Sequence, residues 1–212
     1  MTLTIGVYVF HSRASSFLQP GTLDWVAGPP LAEPMQCAVQ ITKSGFVVVG
    51  GVDLVSVREF DASLAGPTSV DGWLPVDTWP RLETTRFYVA CEAVGGKLIV
   101  AGGGTDVDII DIHTKAVARG NKMLKSRSYM QFVTFGEDDY TRLLALGGLH
   151  DISPIADVEF WEEDSGYWLE AWGRLRTARS HAGAVALRPE IVCSGPCQEH
   201  NCPVVQGTQI ML

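Results

Sequence analysis

Apolar, mostly β-branched or leucine-rich runs recur along the chain, and each ends in glycine. FVVVGG occupies residues 46–51, LIVAGG 98–103 and LLALGG 143–148, with IVCSG at 191–195 as a degenerate copy. Such runs fall short of the roughly 10–12 residues of a helix and are bounded by turn residues, so they predict short buried strands. Counting the first glycine of each run, or Ser194 in its place, gives positions 50, 102, 147 and 194, spaced by 52, 45 and 47 residues. Each of the first three runs is followed by another short strand with an aromatic or acidic end: VREFD at 57–61, DIID at 108–111 and VEFWE at 158–162. Residues 5–10 and 23–27 read as two further strands. A repeat of this period decides the architecture before any local assignment does.

A second landmark precedes each run: a bulky apolar residue and, four positions on, an arginine. The pairs are Leu82 with Arg86, Met123 with Arg127 and Leu175 with Arg179; Leu31 and Met35 hold the places in the first unit. From that arginine or methionine to the first glycine is 15, 16, 20 and 15 residues, the longer third interval containing the polar insertion at 136–139. Tryptophans follow the strands at Trp73, Trp79, Trp168 and Trp172, with Trp25 in the first unit.

In this order, the apolar run, Gly-Gly, aromatic-acidic strand, tryptophan, and leucine before arginine resemble the kelch repeat. That repeat forms one four-stranded blade of a β-propeller, and the resemblance covers residues 3–195. It implies an all-β kelch-type propeller of about four blades, each of four antiparallel strands: 181–195 joined to 1–30, then 31–81, 82–123 and 124–175. The N- and C-terminal strands would close the ring, or an open partial ring would be completed by oligomerisation. Residues 1–195 then form one domain and 196–212 a tail.

No such unit could bury its hydrophobic faces alone, whereas stacking does so and leaves only short edges. Gly50, Gly51, Gly102, Gly103, Gly147 and Gly148 suit sharp turns or close backbone approach. Trp25, Trp79, Trp168 and Trp172 are expected to pack between blades, and Arg86, Arg127 and Arg179 to span neighbouring units.

Composition narrows the rest. The 212 residues are 46% hydrophobic and 19% charged, enough to bury a core and unlike a disordered chain. There are 22 glycines without a three-residue period, so collagen is excluded. The net charge of −8 argues against a nucleic-acid partner, and no apolar stretch reaches the roughly 18 residues of a membrane span. Five cysteines without an N-terminal signal favour reduced thiols and a cytoplasmic setting. The cluster Cys193, Cys197 and Cys202, if oxidised, would favour a secreted one.

The five histidines share no metal-binding spacing, and neither a nucleophile elbow nor a phosphate loop is present. No catalytic residue, metal ligand or cofactor is therefore assigned. The expected function is a non-enzymatic module, monomer or dimer, whose blade loops meet a protein partner. Candidate binding residues are Asp71, Asp106, His150, Asp151 and His181, and the loop aspartates favour a basic partner. The alternative is a small-molecule or metal-dependent enzyme using the propeller channel.

Overall fold

The computed structural model describes residues 7–11, 14–18, 22, 24–31, 36–50, 55–65, 72–136, 141–187 and 209–211. The fold is all-β: apart from the four-residue helix α1 (Ala62–Ala65), its regular elements are short antiparallel strands. No helix among the described residues is long and apolar enough to cross a membrane. The chain forms two compact units. One holds residues 1–103 and 107–119, the other 104–106 and 120–212.

Among the described residues, the first unit contains three sheets. β1 (Val7–His11), β2 (Ala14–Leu18) and β3 (Trp25–Ala27) form a meander in that order. β4 (Cys37–Gln40), β5 (Gly45–Val49) and β6 (Val57–Asp61) form the second, and Trp73 bridges to Phe60 where a fourth strand would begin. β7 (Ala90–Val94), β8 (Lys97–Ala101), β9 (Val107–Asp111) and β10 (Val117–Arg119) form a complete four-stranded meander. The central strand β5 is buried throughout, and four of the five residues of β8 are. This is what continuous apolar runs imply for strands covered on both faces. Val47, Val49 and Val57 of the second sheet pack with Val89, Leu98, Val100 and Ile110 from the third, and Trp79 and Leu82 complete that core.

The second unit repeats the meander. β11 (Gln131–Phe135), β12 (Arg142–Leu146), β15 (Val158–Trp161) and β16 (Trp168–Glu170) pair in that order. A hairpin of β13 (Leu149–His150) and β14 (Ser153–Pro154) projects between β12 and β15. Finally β17 (Val185–Leu187) pairs with β18 (Gln209–Met211).

The landmarks repeat in space as well as in sequence. The N–H of Leu82, Met123 and Leu175 donates to the carbonyl of Val55, Thr105 and Ala156 respectively, each two residues ahead of a third strand. Arg127 and Arg179 donate their own N–H to the carbonyls of Gly104 and Ile155, one residue further back. Two residues beyond each arginine, Tyr88, Tyr129 and His181 all take positive φ, at 57, 55 and 55°. The glycine pairs meet these segments. A Cβ on Gly102 (φ 144°) would lie 2.7 Å from the Tyr88 carbonyl oxygen, and one on Gly147 (φ 57°) would run into the Arg179 carbonyl. Glycine is therefore required for both conformation and space. Gly50 donates to the Ser56 carbonyl, while Gly51 lies outside the described residues.

Several expectations change. Arg86 and Arg127 each bind a carboxylate on the third strand of their own sheet, Asp108 and Glu159, a partner the sequence reading did not assign. Of the tryptophans, Trp79 and Trp168 are buried as expected, whereas Trp25 and Trp172 are exposed. β1 pairs with β2, which the sequence reading missed, and the edge of β17 is taken by β18 from the expected tail. Two residues connect His11 to Ala14, so this hairpin closes a very short loop. Residues 191–195, expected as the last second strand, lie outside the described residues, as do Cys193, Cys197 and Cys202.

One covalent link was not anticipated. Cys37 of β4 and Cys91 of β7 form a disulfide with Cα atoms 5.9 Å apart, joining the second and third sheets beside their shared core.

Candidate interaction surface

Of the five loop residues singled out from the sequence, four are among the described residues. Asp106 pairs with Lys122 at 3.3 Å. His150, exposed on β13, places Nδ1 3.1 Å from the Ser126 carbonyl oxygen. Asp151 follows at the hairpin turn with φ 56°, and is also exposed. His181 stacks on Tyr129 with ring centroids 3.6 Å apart, its Nδ1 3.0 Å from Ser180 Oγ. Asp71 lies outside the described residues. Among the described residues, no group of three or more His, Cys, Asp or Glu could hold a metal ion.

A different surface stands out on the sheet β11–β12–β15–β16. Alternation divides its side chains between two faces. Phe132, Leu143, Ala145, Glu159, Trp161 and Trp168 belong to one face and are buried, with Phe132 stacked on Trp168 at 5.6 Å. Val133, Leu144, Leu146, Val158 and Phe160 belong to the other, packed by Leu175 and by Ala184 and Ala186 near β17. All five are buried, at 5–8% exposure. A groove of about 260 Å³ remains along it, bounded by Phe135, Leu144, Phe160, Trp172, Arg142 and Arg174.

Trp172 is 91% exposed, with its ring 5.8 Å from Phe160. The Arg142 guanidinium lies over both rings, 4.9 Å from the Phe160 centroid and 5.7 Å from that of Trp172. This geometry suits cation–π attraction. Among the described residues Arg142 makes no ion pair, and the groove lining they form contains two arginines but no aspartate or glutamate. It is a cationic spot on a chain of net charge −8.

Asp157 sits behind this rim, with Oδ1 2.7 Å from Lys125 Nζ and Oδ2 3.2 Å from an Arg174 amino nitrogen. The Lys125 hydrogen bond, helped by the charges of Lys125 and Arg174, holds its carboxyl below the usual range against the opposing effect of burial. A carboxyl depressed by folding stabilises the fold above its unfolded pKa of about 3.9, and that contribution disappears as pH falls through the lower folded value. Urea midpoints for the native chain and Asp157→Asn should therefore differ at pH 6 and converge as pH falls from 4 toward 2. A gap independent of pH would assign the effect to lost packing instead.

The sequence pointed to this surface only in part. Trp79 and Trp172 occupy the same repeat position, three residues before Leu82 and Leu175, and were given the same packing role. Trp79 is 3% exposed because the β7–β10 sheet lies against its side of the core, where Lys115 Nζ sits 3.5 Å from its ring centroid. Trp172 has no such sheet over it among the described residues. What the sequence did carry was the pairing of Arg142 on β12 and Phe160 on β15 with that tryptophan, a cluster the other repeats lack. Compared with known proteins, the chain matches no family model and no curated protein.

Proposed function

We propose that the chain is a non-enzymatic protein-interaction module on a kelch-type β-propeller scaffold of about four repeats. The scaffold reading draws support from the recurring backbone bonds of Leu82, Met123 and Leu175, the arginine–carboxylate pairs of two repeats, and the left-handed residue after each arginine. The observation that carries the interaction reading is the open apolar groove beside the 91% exposed Trp172. Tryptophan and arginine dominate the binding energy of protein interfaces, and here they occur together at one concave site. The Cys37–Cys91 disulfide supports the oxidising alternative for its compartment, since such bonds persist outside the reducing cytosol.

Affinity capture from the native source with the full chain as bait tests this. A partner retained in stoichiometric amount by the native chain, and lost from Trp172→Ala, is the expected result. Because Trp172 is nearly fully exposed, that variant should keep its urea midpoint within about 0.5 kcal/mol of native stability. Retention of no protein by either bait would overturn the reading.

A further inference from the structure

We infer that the groove beside Trp172 receives an extended acidic segment of a partner protein, one whose apolar side chains fill the cleft while a carboxylate meets Arg142. The inference rests on the interaction reading above and adds the chemistry of the partner.

The chain contains its own reference for what covers such a face. In the first unit the equivalent face of β4–β6, formed by Val47, Val49, Val57, Trp79 and Leu82, is covered by the β7–β10 sheet. The covering sheet contributes apolar side chains and one cation: Lys115 lies over the Trp79 ring and reaches Glu59 Oε2 at 3.7 Å. Glu59 Oε2 also accepts from Trp79 Nε1 at 2.7 Å. There the face supplies the carboxylate and the cover supplies the cation.

In the second unit this polarity is reversed. Register places Phe160 where Glu59 stands, since each lies two residues past the first valine of its strand, Val158 and Val57. The cation over the tryptophan comes from within the same sheet, from Arg142, which Leu144 and Phe160 hold beside the cleft. An incoming lysine would find a guanidinium already over Trp172 and, among the described residues of the lining, no carboxylate to receive it. An incoming carboxylate meets Arg142, whose planar fork can bind it through two hydrogen bonds, with Arg174 at the same rim. The cleft, about 260 Å³, is smaller than the roughly 300–1,000 Å³ typical of sites for whole small ligands, and matches one or two inserted side chains. The opposite expectation, a basic partner drawn by the loop aspartates, does not suit this surface.

Selection from a random linear peptide library displayed on phage, with the full chain immobilised, tests the assignment. The native chain should enrich peptides with one or two large apolar residues flanked by Asp or Glu. Synthetic versions of the enriched peptides should bind roughly thirtyfold more weakly to Trp172→Ala, the loss expected for a hot-spot residue. Arg142→Glu should lose the acidic peptides and select Lys- or Arg-flanked ones. Peptides of basic or uncharged consensus on the native chain would overturn the acidic assignment and leave the interaction reading standing. So would binding that neither variant alters. A concentration-dependent dimer of the native chain that Trp172→Ala dissolves would give the groove to a second copy and overturn it as well. Absence of any binding peptide would count against both readings.

Discussion

Reduction of the Cys37–Cys91 disulfide should lower the melting temperature by roughly 8–16 °C. The bond closes a sequence separation of 54 residues. Cross-linking a loop of that size removes unfolded-state entropy equivalent to about 4 kcal/mol in the chain-entropy description. For a chain of this length each kcal/mol corresponds to roughly 2–4 °C. The native state has reason to retain the geometry, because Cys91 is buried in the core shared by the second and third sheets and Cys37 packs against it. Gln36, beside Cys37, accepts hydrogen bonds through Oε1 from the N–H groups of Tyr88 and Val89, so the same two sheets are also joined by polar contacts. The covalent link therefore acts on a junction that already forms, and its main effect falls on the unfolded chain. Circular dichroism melts with and without dithiothreitol measure the shift. The Cys37→Ala/Cys91→Ala variant separates this bond from the three other cysteines: it should melt near the reduced native chain and respond little to reductant. A native chain whose melting is indifferent to reductant would remove the stabilising role.

How far the sequence could be read follows from which features are copied along it. The glycine pairs were legible because each repeat needs a backbone that takes positive φ against a neighbouring carbonyl, and no other residue does so at Gly102 and Gly147 without a collision. The leucine–arginine spacing was legible for the same reason: the backbone bonds of Leu82, Met123 and Leu175 recur. The all-β fold followed from these copies.

What the sequence hid was particular to one repeat. The partners of Arg86 and Arg127 are single carboxylates, Asp108 and Glu159, inside strands whose other residues are mostly apolar, and only register reveals that they face the arginine. Arg179 has the landmark position without that bond; among the described residues its Nε contact is the nearby Thr177 carbonyl at 3.4 Å. The disulfide was hidden because attention to cysteine spacing favours near neighbours, whereas Cys37 and Cys91 meet only when two sheets pack. The groove was hidden because burial of a tryptophan depends on what lies over it, and Trp79 and Trp172 differ in nothing else that the repeat records.

The second large effect concerns Arg127, whose side chain is 0% exposed and whose partner Glu159 is 2% exposed. Arg127→Met should destabilise the chain by about 3–5 kcal/mol, the range found when one member of a buried ion pair is removed. The loss has two parts. Glu159 keeps its charge in a buried place without the guanidinium that donates to Oε1 through both Nε and an amino nitrogen. The carbonyls of Gly147 and Asp157 also lose their donor, Arg127 Nη1, at 2.7 and 2.8 Å. Glu159→Gln should cost less than Arg127→Met, because an amide oxygen can still serve the N–H groups of Leu124 or Lys125 that the carboxylate now accepts. The double variant should recover part of the Arg127→Met loss, since it removes the uncompensated charge, but not all of it, since the Gly147 and Asp157 carbonyls still lack the Arg127 donor and, among the described residues, only Asp157 keeps a bond, from the Gly147 N–H. The first repeat illustrates the same coupling. Its landmark residue is Met35, and Arg58 occupies the register position of Asp108 and Glu159, with its guanidinium 5.7 Å from the Trp73 ring centroid. That repeat exchanged both members rather than one, as expected if either alone is costly. Urea midpoints for the two single variants and the double, at unchanged m-value, measure the coupling. If Arg127→Met fell within 1 kcal/mol of the native chain, the pair would be dispensable to the sheet that contains it, and the arginine landmark would need another explanation.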